Sequence, residues 1–452
     1  MKTINPANGE IDRSFPVWDV RQLDTALADV AAATPGWQAT PLSERAAVLR
    51  RAAAELRARR DHYAALITLE MGKLAREAQA EIEKCAWGCE HYAEHGAAYL
   101  RDEPVATDAA RSFIGYEPLG TVLAVMPWNF PFWQVFRFAA PALLAGNTAV
   151  LKHASNVPQC AAAIEDVWRR VGLPAHAFRW LRIGAEHVER VIADPRVHAV
   201  TLTGSDAAGR KVAAAAGAHL KKTVLELGGS DAFVVLADAD LDQAAAQGVA
   251  ARFQNAGQSC IAAKRFIVVD AIAEAFLHKF RERVAALKPG DPRDPGTTLA
   301  PLARADLRAQ LHEQVRDTIA AGARAVIGGE PLPGPGFYYA ASILDRVAPG
   351  MRAHDEELFG PVATVIRARD EADALRIANT SRFGLGASVW TRDEANGERM
   401  ARAFAAGACF VNGIVKSDPR LPFGGVKDSG YGRELSAHGI REFVNIKTVW
   451  IK

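Results

Sequence analysis

The chain has 452 residues, of which 49% are hydrophobic and 23% are charged, and its formal net charge is +2. This length exceeds what one hydrophobic core normally holds, so two or three domains are expected. The near-neutral charge gives no reason to expect nucleic acid or an anionic membrane as a partner, and no apolar run reaches the ~18–20 residues that span a bilayer.

The amino terminus and the cysteines both favour a cytoplasmic location. Residues 1–10 are polar and rich in turn formers, with neither a hydrophobic signal core nor an Arg-rich presequence. The five cysteines form an odd set in a long chain, which fits a reducing compartment better than a disulfide framework. Cys85 and Cys89 lie one helical turn apart, so we expect them to pack in a helix face rather than to bind a metal. Cys409 is expected in a buried strand.

The first hundred residues are predicted to be mainly helical. Apolar residues recur every three or four positions, which predicts helices over 23–33, 42–70 and 74–100. Residues 111–117 are predicted to form an extended arm that leads into a short apolar strand over 120–126.

Strands and helices then alternate along the chain. Strands are predicted at 149–152, 200–203 and 223–226, with helices at 157–171 and 206–218 between them. This alternation indicates an α/β fold with a parallel, doubly wound sheet and a ligand at the carboxyl ends of its strands. After Gly229 the pattern restarts with strands at 232–236 and 265–269 and a helix from Leu241, so a second α/β domain is predicted.

Two Gly-containing turns carry the strongest chemical signal. Residues 253–260 read Phe-Gln-Asn-Ala-Gly-Gln-Ser-Cys, and residues 225–231 read Leu-Glu-Leu-Gly-Gly-Ser-Asp. The thiol of Cys260 could attack an electrophilic carbon, and the carboxylate of Glu226 could later deprotonate a water molecule. We expect surroundings that lower the pKa of Cys260, with Gly257 in an unusual backbone conformation. The alternatives are an inert buried cysteine and a surface or helix-capping glutamate.

Three further segments fit the same chemistry. Asn129, in Pro-Trp-Asn-Phe-Pro at 127–131, follows a predicted strand and could donate its side-chain N–H to an oxyanion. The turn at 203–209 enters a helix, where free backbone N–H groups could approach a pyrophosphate. Lys152 ends a predicted strand, from which it could reach a ribose hydroxyl or a phosphate.

These segments, in this order and over essentially the whole chain, resemble the aldehyde dehydrogenase superfamily. Glu-Leu-Phe-Gly-Pro at 357–361 and the Gly-rich stretches at 422–427 and 429–434 complete the resemblance. It implies Cys260 as nucleophile, Glu226 as general base and Asn129 as oxyanion donor, with no metal site. The residues implied to bind an NADP or NAD cofactor are Trp128, Lys152, Ser155, Gly204, Ser205, Leu227, Glu357 and Phe359.

The chain is most similar to a short bacterial branch of NAD(P)-dependent succinate-semialdehyde dehydrogenases. Ser155 stands where a glutamate favours NAD in this family, so NADP is expected to be accepted, with NAD as the alternative. Arg137 matches the arginine that binds the substrate's distal carboxylate, and Ser417 is expected at the substrate mouth. The alternative for Arg137 is an internal ion pair. Gln254 replaces a second arginine of better-known members.

The resemblance also implies the domain plan and the assembly. Residues 1–104 and 119–228 would form a Rossmann-like NAD(P)-binding domain and 229–428 an α/β catalytic domain. Residues 105–118 and 429–452 would form a β oligomerisation arm and tail in a homodimer or homotetramer. The functional alternatives are a dehydrogenase for another small aliphatic aldehyde, a CoA-acylating enzyme, a non-catalytic scaffold and a cysteine hydrolase.

Overall fold

Alternating helices and strands fill the computed structural model, which describes residues 1–452. The helices are α1 (Val20–Ala39), α2 (Leu42–Ala58), α3 (Arg60–Met71), α4 (Ala75–Tyr99), α5 (Trp133–Leu144), α6 (Pro158–Arg170), α7 (Val188–Ala193), α8 (Asp206–Ala218), α9 (Leu241–Phe253), α10 (Asp270–Ala285), α11 (Ala305–Ala320), α12 (Arg352–Asp355), α13 (Glu371–Asn379), α14 (Glu394–Ala403) and α15 (Ser436–Arg441).

Twenty strands accompany them. They are β1 (Lys2–Ile4), β2 (Ile11–Ser14), β3 (Glu103–Pro104), β4 (Arg111–Pro118), β5 (Thr121–Met126), β6 (Thr148–His153), β7 (Phe178–Trp180), β8 (Val197–Thr203), β9 (Lys222–Glu226), β10 (Asp231–Val235), β11 (Ala263–Val269), β12 (Arg324–Ile327), β13 (Ser342–Asp345), β14 (Val362–Ala368), β15 (Phe383–Gly384), β16 (Gly386–Trp390), β17 (Ala408–Val411), β18 (Val426–Lys427), β19 (Gly430–Tyr431) and β20 (Val444–Ile451).

The helical region differs from the sequence prediction in two places. The single helix predicted over 42–70 is wrong: it is two helices, because Arg59 leaves helical geometry at φ −115° and ψ 24° between α2 and α3. The helix predicted to end at residue 33 continues through Pro35 to Ala39. The buried Trp37 holds this last turn in place, since its indole N–H donates to the carbonyl oxygen of Leu143 at 3.0 Å.

The first large sheet presents most of the predicted motifs at one edge. Its strand order is β19-β9-β8-β5-β6-β7, and all pairs are parallel except β19 with β9. Asn129 follows β5, Ser205 follows β8, and Glu226 ends β9, so the carboxyl ends of neighbouring strands bring these residues together. The parallel doubly wound sheet is confirmed. The short strand β7 was not predicted.

The second large sheet carries the cysteine. Its order is β12-β13-β14-β11-β10-β16-β17, with only β12 antiparallel to its neighbour. Cys260 lies just before the amino end of β11, so the nucleophile of one sheet faces the strand ends of the other. Apolar residues pack on both faces of each sheet, which makes both sheets interior layers.

A third sheet stands apart from these two. Strand β20 pairs with β4 along its whole length, from Val444 opposite Pro118 to Ile451 opposite Arg111, and β3 pairs with the other side of β4. The extended segment predicted near 111–117 is therefore a strand, joined by the carboxyl-terminal strand. No helix combines the length and apolar character needed to cross a bilayer.

Candidate active site

The loop that presents Cys260 has an unusual backbone. Asn255, Ala256 and Gly257 all have positive φ angles, at 55°, 52° and 74°. The conformation expected for Gly257 is confirmed, and a Cβ there would collide with the carbonyl of Gly360. Such left-handed residues cost energy and persist only where neighbouring contacts fix them.

Hydrogen bonds fix this loop against the segment that carries Asn129. The Asn255 side-chain amide donates to the carbonyls of Asn129, at 2.9 Å, and Gln258, at 3.0 Å. The Asn129 amide donates to the same Gln258 carbonyl at 3.1 Å. An amide nitrogen has two N–H groups, so one holds Asn129 in place while the second stays available to another acceptor.

The electrostatic surroundings of Cys260 differ from the sequence prediction. The residue keeps partial contact with solvent, yet dense packing raises the pKa of its thiol to about 12, against the lowering effects of Lys264 and Arg137. The expectation of a lowered pKa is therefore wrong for the protein without ligands. The resting side chain is a thiol, and its reaction requires removal of a proton.

Glu226 is a buried carboxyl group without hydrogen-bond partners. It is 2% exposed, and neither carboxyl oxygen has a partner. Burial raises its pKa well above the usual range, Arg137 opposes this, and Glu434 adds to it. A Cβ on Gly424 would lie 2.7 Å from Glu226 Oε1, so only glycine leaves room for the carboxyl group there.

The two predicted turns meet in space. The Gly228–Gly229 turn that follows Glu226 approaches the cysteine loop so closely that a Cβ on Gly229 would lie 2.7 Å from the carbonyl oxygen of Cys260. The charge of Glu226 also contributes to the raised pKa of the thiol. The fold thus joins two segments that are separate in sequence.

A cavity of about 390 Å³ opens beside Cys260. Eight of the thirteen residues predicted at the site line it: Trp128, Asn129, Gly204, Ser205, Leu227, Cys260, Glu357 and Phe359. Phe359 packs edge-on against Trp128, with ring centroids 5.8 Å apart. Glu226 is not among the residues that line the cavity. Lys152 and Ser155 lie beyond the lining, at and just after the end of the neighbouring strand β6.

The cavity suits a dinucleotide. Ser205 caps α8 by accepting from the N–H of Ala208 at 3.3 Å, and the first turn of this helix opens into the cavity. Helix amino termini bind phosphate through free N–H groups. At the opposite side the carboxylate of Glu357, which could accept from ribose hydroxyls, is held by Lys264 at 2.9 Å. These residues fit a nicotinamide dinucleotide.

Arg137 is engaged inside the protein. It is 3% exposed, pairs through Nε with Glu434, and its guanidinium carbon lies 4.7 Å from the ring centroid of Phe423. The internal pairing that was the alternative for this residue is present. Its positive charge still reaches Glu226, Cys260 and Lys84, whose pKa values it lowers.

Ser417 is buried at a contact between α4 and α5. Its hydroxyl oxygen accepts from Lys84 Nζ at 2.7 Å and from the indole N–H of Trp133 at 3.2 Å. Trp133 begins α5, four residues after Asn129. Lys416 and Arg420, close to Ser417 in the sequence, are exposed.

The family model of the aldehyde dehydrogenase family matches residues 1–449. The chain belongs to this family.

Individual members are similar over the full chain. A Synechocystis protein named probable succinate-semialdehyde dehydrogenase (NADP+) is 52% identical over 450 residues, covering 99% of each chain. A Mycobacterium ulcerans protein named succinate-semialdehyde dehydrogenase (NADP+) 1 is 50% identical over 453 residues, also covering 99% of each. The structure of succinic semialdehyde dehydrogenase from Streptococcus pyogenes in complex with NADP+ superimposes with a TM-score of 0.98 at 38% identity, covering 100% of this chain and 99% of the other.

Sequence reasoning missed several charged residues of this aldehyde dehydrogenase. Lys264 donates to the carbonyls of Ser259 and Cys260, at 2.8 and 2.6 Å, and its signal was an Ala-Lys-Arg start to an otherwise apolar strand. Glu434 lies in a Gly-rich stretch that was recognised but given no role. Lys84 gave no signal, because a lysine in a Glu-rich helix is typical of a solvated face.

Proposed function

We propose that this aldehyde dehydrogenase oxidises succinate semialdehyde to succinate, with NADP as the cofactor. The observation that carries the chemistry is that Cys260 and Asn129 line one cavity that fits a dinucleotide, while Glu226 is close enough for its charge to raise the pKa of the Cys260 thiol. Support for the substrate comes from the names of relatives at about half identity over the full chain.

In the first half of the proposed reaction, the Cys260 thiol loses its proton to the solvent that it contacts, and the thiolate attacks the aldehyde carbon. The carbonyl oxygen becomes an oxyanion, which the free N–H of the Asn129 amide and the backbone N–H of Cys260 stabilise. Loss of hydride from the same carbon leaves a thioester on Cys260. The nicotinamide cofactor supplies the hydride acceptor when it is bound.

In the second half, Glu226 acts as general base toward water. The water oxygen attacks the thioester carbon, the C–S bond breaks, and the carboxylic acid leaves while Cys260 is regenerated. A carboxyl group whose pKa is raised by burial is a better base near neutral pH than an exposed glutamate. Its lack of hydrogen-bond partners leaves both oxygens free for this water.

Ser155 supports NADP over NAD. It is exposed just beyond the end of β6, near Lys152, and it adds no negative charge where a 2′-phosphate would bind. We predict that Ser155→Glu lowers kcat/KM for NADP by about tenfold or more through like-charge repulsion, with a smaller effect on NAD. Initial rates with each cofactor test this, and Ser155→Gln is the uncharged control. Equal losses for both cofactors would contradict it.

We propose that Arg137 and Ser417 take part in binding the substrate's distal carboxylate. Glu434 engages the Nε edge of Arg137, and Thr203 Oγ1 lies 3.4 Å from Nη2, so Nη1 is not engaged by either residue. The cationic surroundings of the nucleophile favour a substrate that carries a negative charge.

The presence of Glu226 and the use of a cofactor distinguish the proposed function from its alternatives. A CoA-acylating enzyme has no use for a buried general base, and a scaffold has no need of all three residues. A cysteine hydrolase would act without cofactor. Another small aliphatic aldehyde or semialdehyde is the second candidate substrate.

For the assembly and location, we propose a cytoplasmic homodimer or homotetramer, without nucleic acid or membrane as a partner. The exposed apolar residues of β20, Ile446, Trp450 and Ile451, support contact with another subunit.

The experiment is reduction of NADP and of NAD with succinate semialdehyde and with butanal, an uncharged aldehyde of the same length. We expect higher kcat/KM for succinate semialdehyde with NADP than for the other three combinations. Equal or better turnover of butanal would contradict the proposed substrate, and preference for NAD would contradict the proposed cofactor.

A further inference from the structure

Lys84 of helix α4 carries a positive charge that no acidic side chain pairs with. Lys84 Nζ donates to Ser417 Oγ at 2.7 Å and lies 4.6 Å from the ring centroid of Trp133, but Lys84 forms no ion pair. Burial, together with the positive charge of Arg137, lowers its pKa to about 8. A buried ammonium group of this kind is poorly solvated and gains most from a bound anion.

The other charges around Lys84 already have partners. The pairs are Asp418 with Arg420, Glu81 with Lys73, and Arg137 with Glu434. Each of these pairs is close to neutral, so the charge of Lys84 is left unbalanced among them. A monoanionic group would balance it.

Ser417 adds a directed donor beside this charge. Its oxygen accepts hydrogen bonds from Lys84 and from the Trp133 indole, so its own hydroxyl hydrogen has no acceptor assigned within the protein. An ammonium group and a hydroxyl hydrogen side by side match the two oxygens of a carboxylate, and hydrogen bonds to a charged acceptor are the strong ones.

The Lys84–Ser417 pair is also near the reacting atoms. Arg137 lies one helical turn after Trp133 on α5, and its Nη2 is 3.4 Å from Oγ1 of Thr203, which lines the cavity beside Cys260. Trp133, which contacts Ser417, belongs to the segment that directly follows Asn129. A short substrate could therefore reach from Cys260 to Lys84.

We propose that Lys84, with Ser417, binds the distal carboxylate of the aldehyde substrate and is a further specificity-determining residue of the chain, beside Arg137. This inference rests on the proposed function, since it requires a carboxylated aldehyde as substrate.

The test compares Lys84→Met with Lys416→Met. Methionine keeps the apolar stem that packs on Trp133 and removes the charge, whereas Lys416 is an exposed lysine next to Ser417 in sequence. Steady-state rates with NADP are measured for succinate semialdehyde and for butanal. We expect Lys84→Met to lower kcat/KM for succinate semialdehyde by about 10- to 100-fold, mainly through a higher KM. The kcat/KM for butanal should change by less than about threefold. Lys416→Met should change neither.

Two further variants separate binding from folding. Lys84→Gln keeps a donor toward Ser417 without the charge, so kcat/KM should fall for succinate semialdehyde and not for butanal. Lys84→Arg restores the charge and should recover part of the kcat/KM for succinate semialdehyde. Equal losses for both aldehydes in Lys84→Met and Lys84→Gln would assign Lys84 a structural role and overturn the inference.

Rates of the wild-type enzyme distinguish failure of the proposed function from failure of the inference about Lys84. If the wild type does not prefer succinate semialdehyde over butanal, the proposed function and this inference both fail. If the wild type has that preference and Lys84→Gln retains it, only the inference fails.

Discussion

The chemistry at Cys260 depends on a thiol that is protonated at rest. Burial raises its pKa to about 12, so the nearby positive charges of Lys264 and Arg137 do not suffice to create a thiolate in the free enzyme. A cysteine in this state is protected from oxidation and alkylation, because the thiolate is the reactive form.

A pH series tests this property. Without cofactor, we predict that the rate of inactivation by iodoacetamide rises roughly tenfold per pH unit between pH 7 and 9 and does not level off, because the thiolate fraction grows with pH below the pKa. Peptide mapping confirms the site, with the fully buried Cys85, Cys89 and Cys160 as internal controls. A plateau near pH 7 would show a lowered pKa instead.

At the scale of elements, α4 is hydrogen-bonded both to the loop that carries Cys260 and to the segment that follows Asn129. Glu77 accepts from the backbone N–H of Asn255 in the cysteine loop, with both carboxyl oxygens at 3.2 Å. One turn later Glu81 accepts from the N–H groups of Phe132 and Trp133, at 2.9 and 3.0 Å, just after Asn129. Glu81 also pairs with Lys73, which lies 3.7 Å from the Phe130 ring centroid.

Removing one partner of this buried pair should affect stability and activity together. We predict that Glu81→Gln lowers the free energy of unfolding by about 3–5 kcal/mol, because Lys73 is left as an unbalanced buried charge. The oxyanion donor Asn129 should also lose its position, so kcat should fall with both succinate semialdehyde and butanal. Chemical denaturation and initial rates measure the two effects. Glu83→Gln, on the exposed face of the same helix, is the control and should change neither.

The limits of sequence reasoning are visible in this helix. Cys260, Glu226 and Asn129 could be proposed from the sequence because each belongs to a distinctive turn beside a strand. Glu77, Glu81 and Lys84 could not, because charged residues in an amphipathic helix normally face solvent, and only tertiary packing places these inward. The same limit explains the helix predicted over 42–70, whose apolar period continues across the break at Arg59.

At the scale of the whole molecule, the third sheet exposes apolar side chains on an edge strand, which the proposed homo-oligomer would cover. Ile446 and Trp450 lie on the same face of β20, at 61% and 50% exposure, and β20 is an edge strand. An exposed edge with apolar side chains favours association, and proteins normally cover such an edge.

Charges on this strand should disrupt the assembly. We predict that the double variant Ile446→Glu and Trp450→Glu shifts the enzyme to a smaller species, because burying two carboxylates against another subunit is costly. Light scattering coupled to size exclusion measures the mass. Leu220→Glu is the control, since Leu220 is 96% exposed in the turn after α8. An unchanged mass in the double variant would exclude β20 from the subunit contact.

The proposed mechanism is covalent catalysis by Cys260 with hydrolysis through Glu226. It is tested by the intact mass of Glu226→Gln after incubation with succinate semialdehyde and NADP, with the double variant Glu226→Gln and Cys260→Ala as control. We expect an enzyme that carries one succinyl group on Cys260, because the thioester forms but no base activates water. Normal steady-state turnover by Glu226→Gln without an adduct would contradict it.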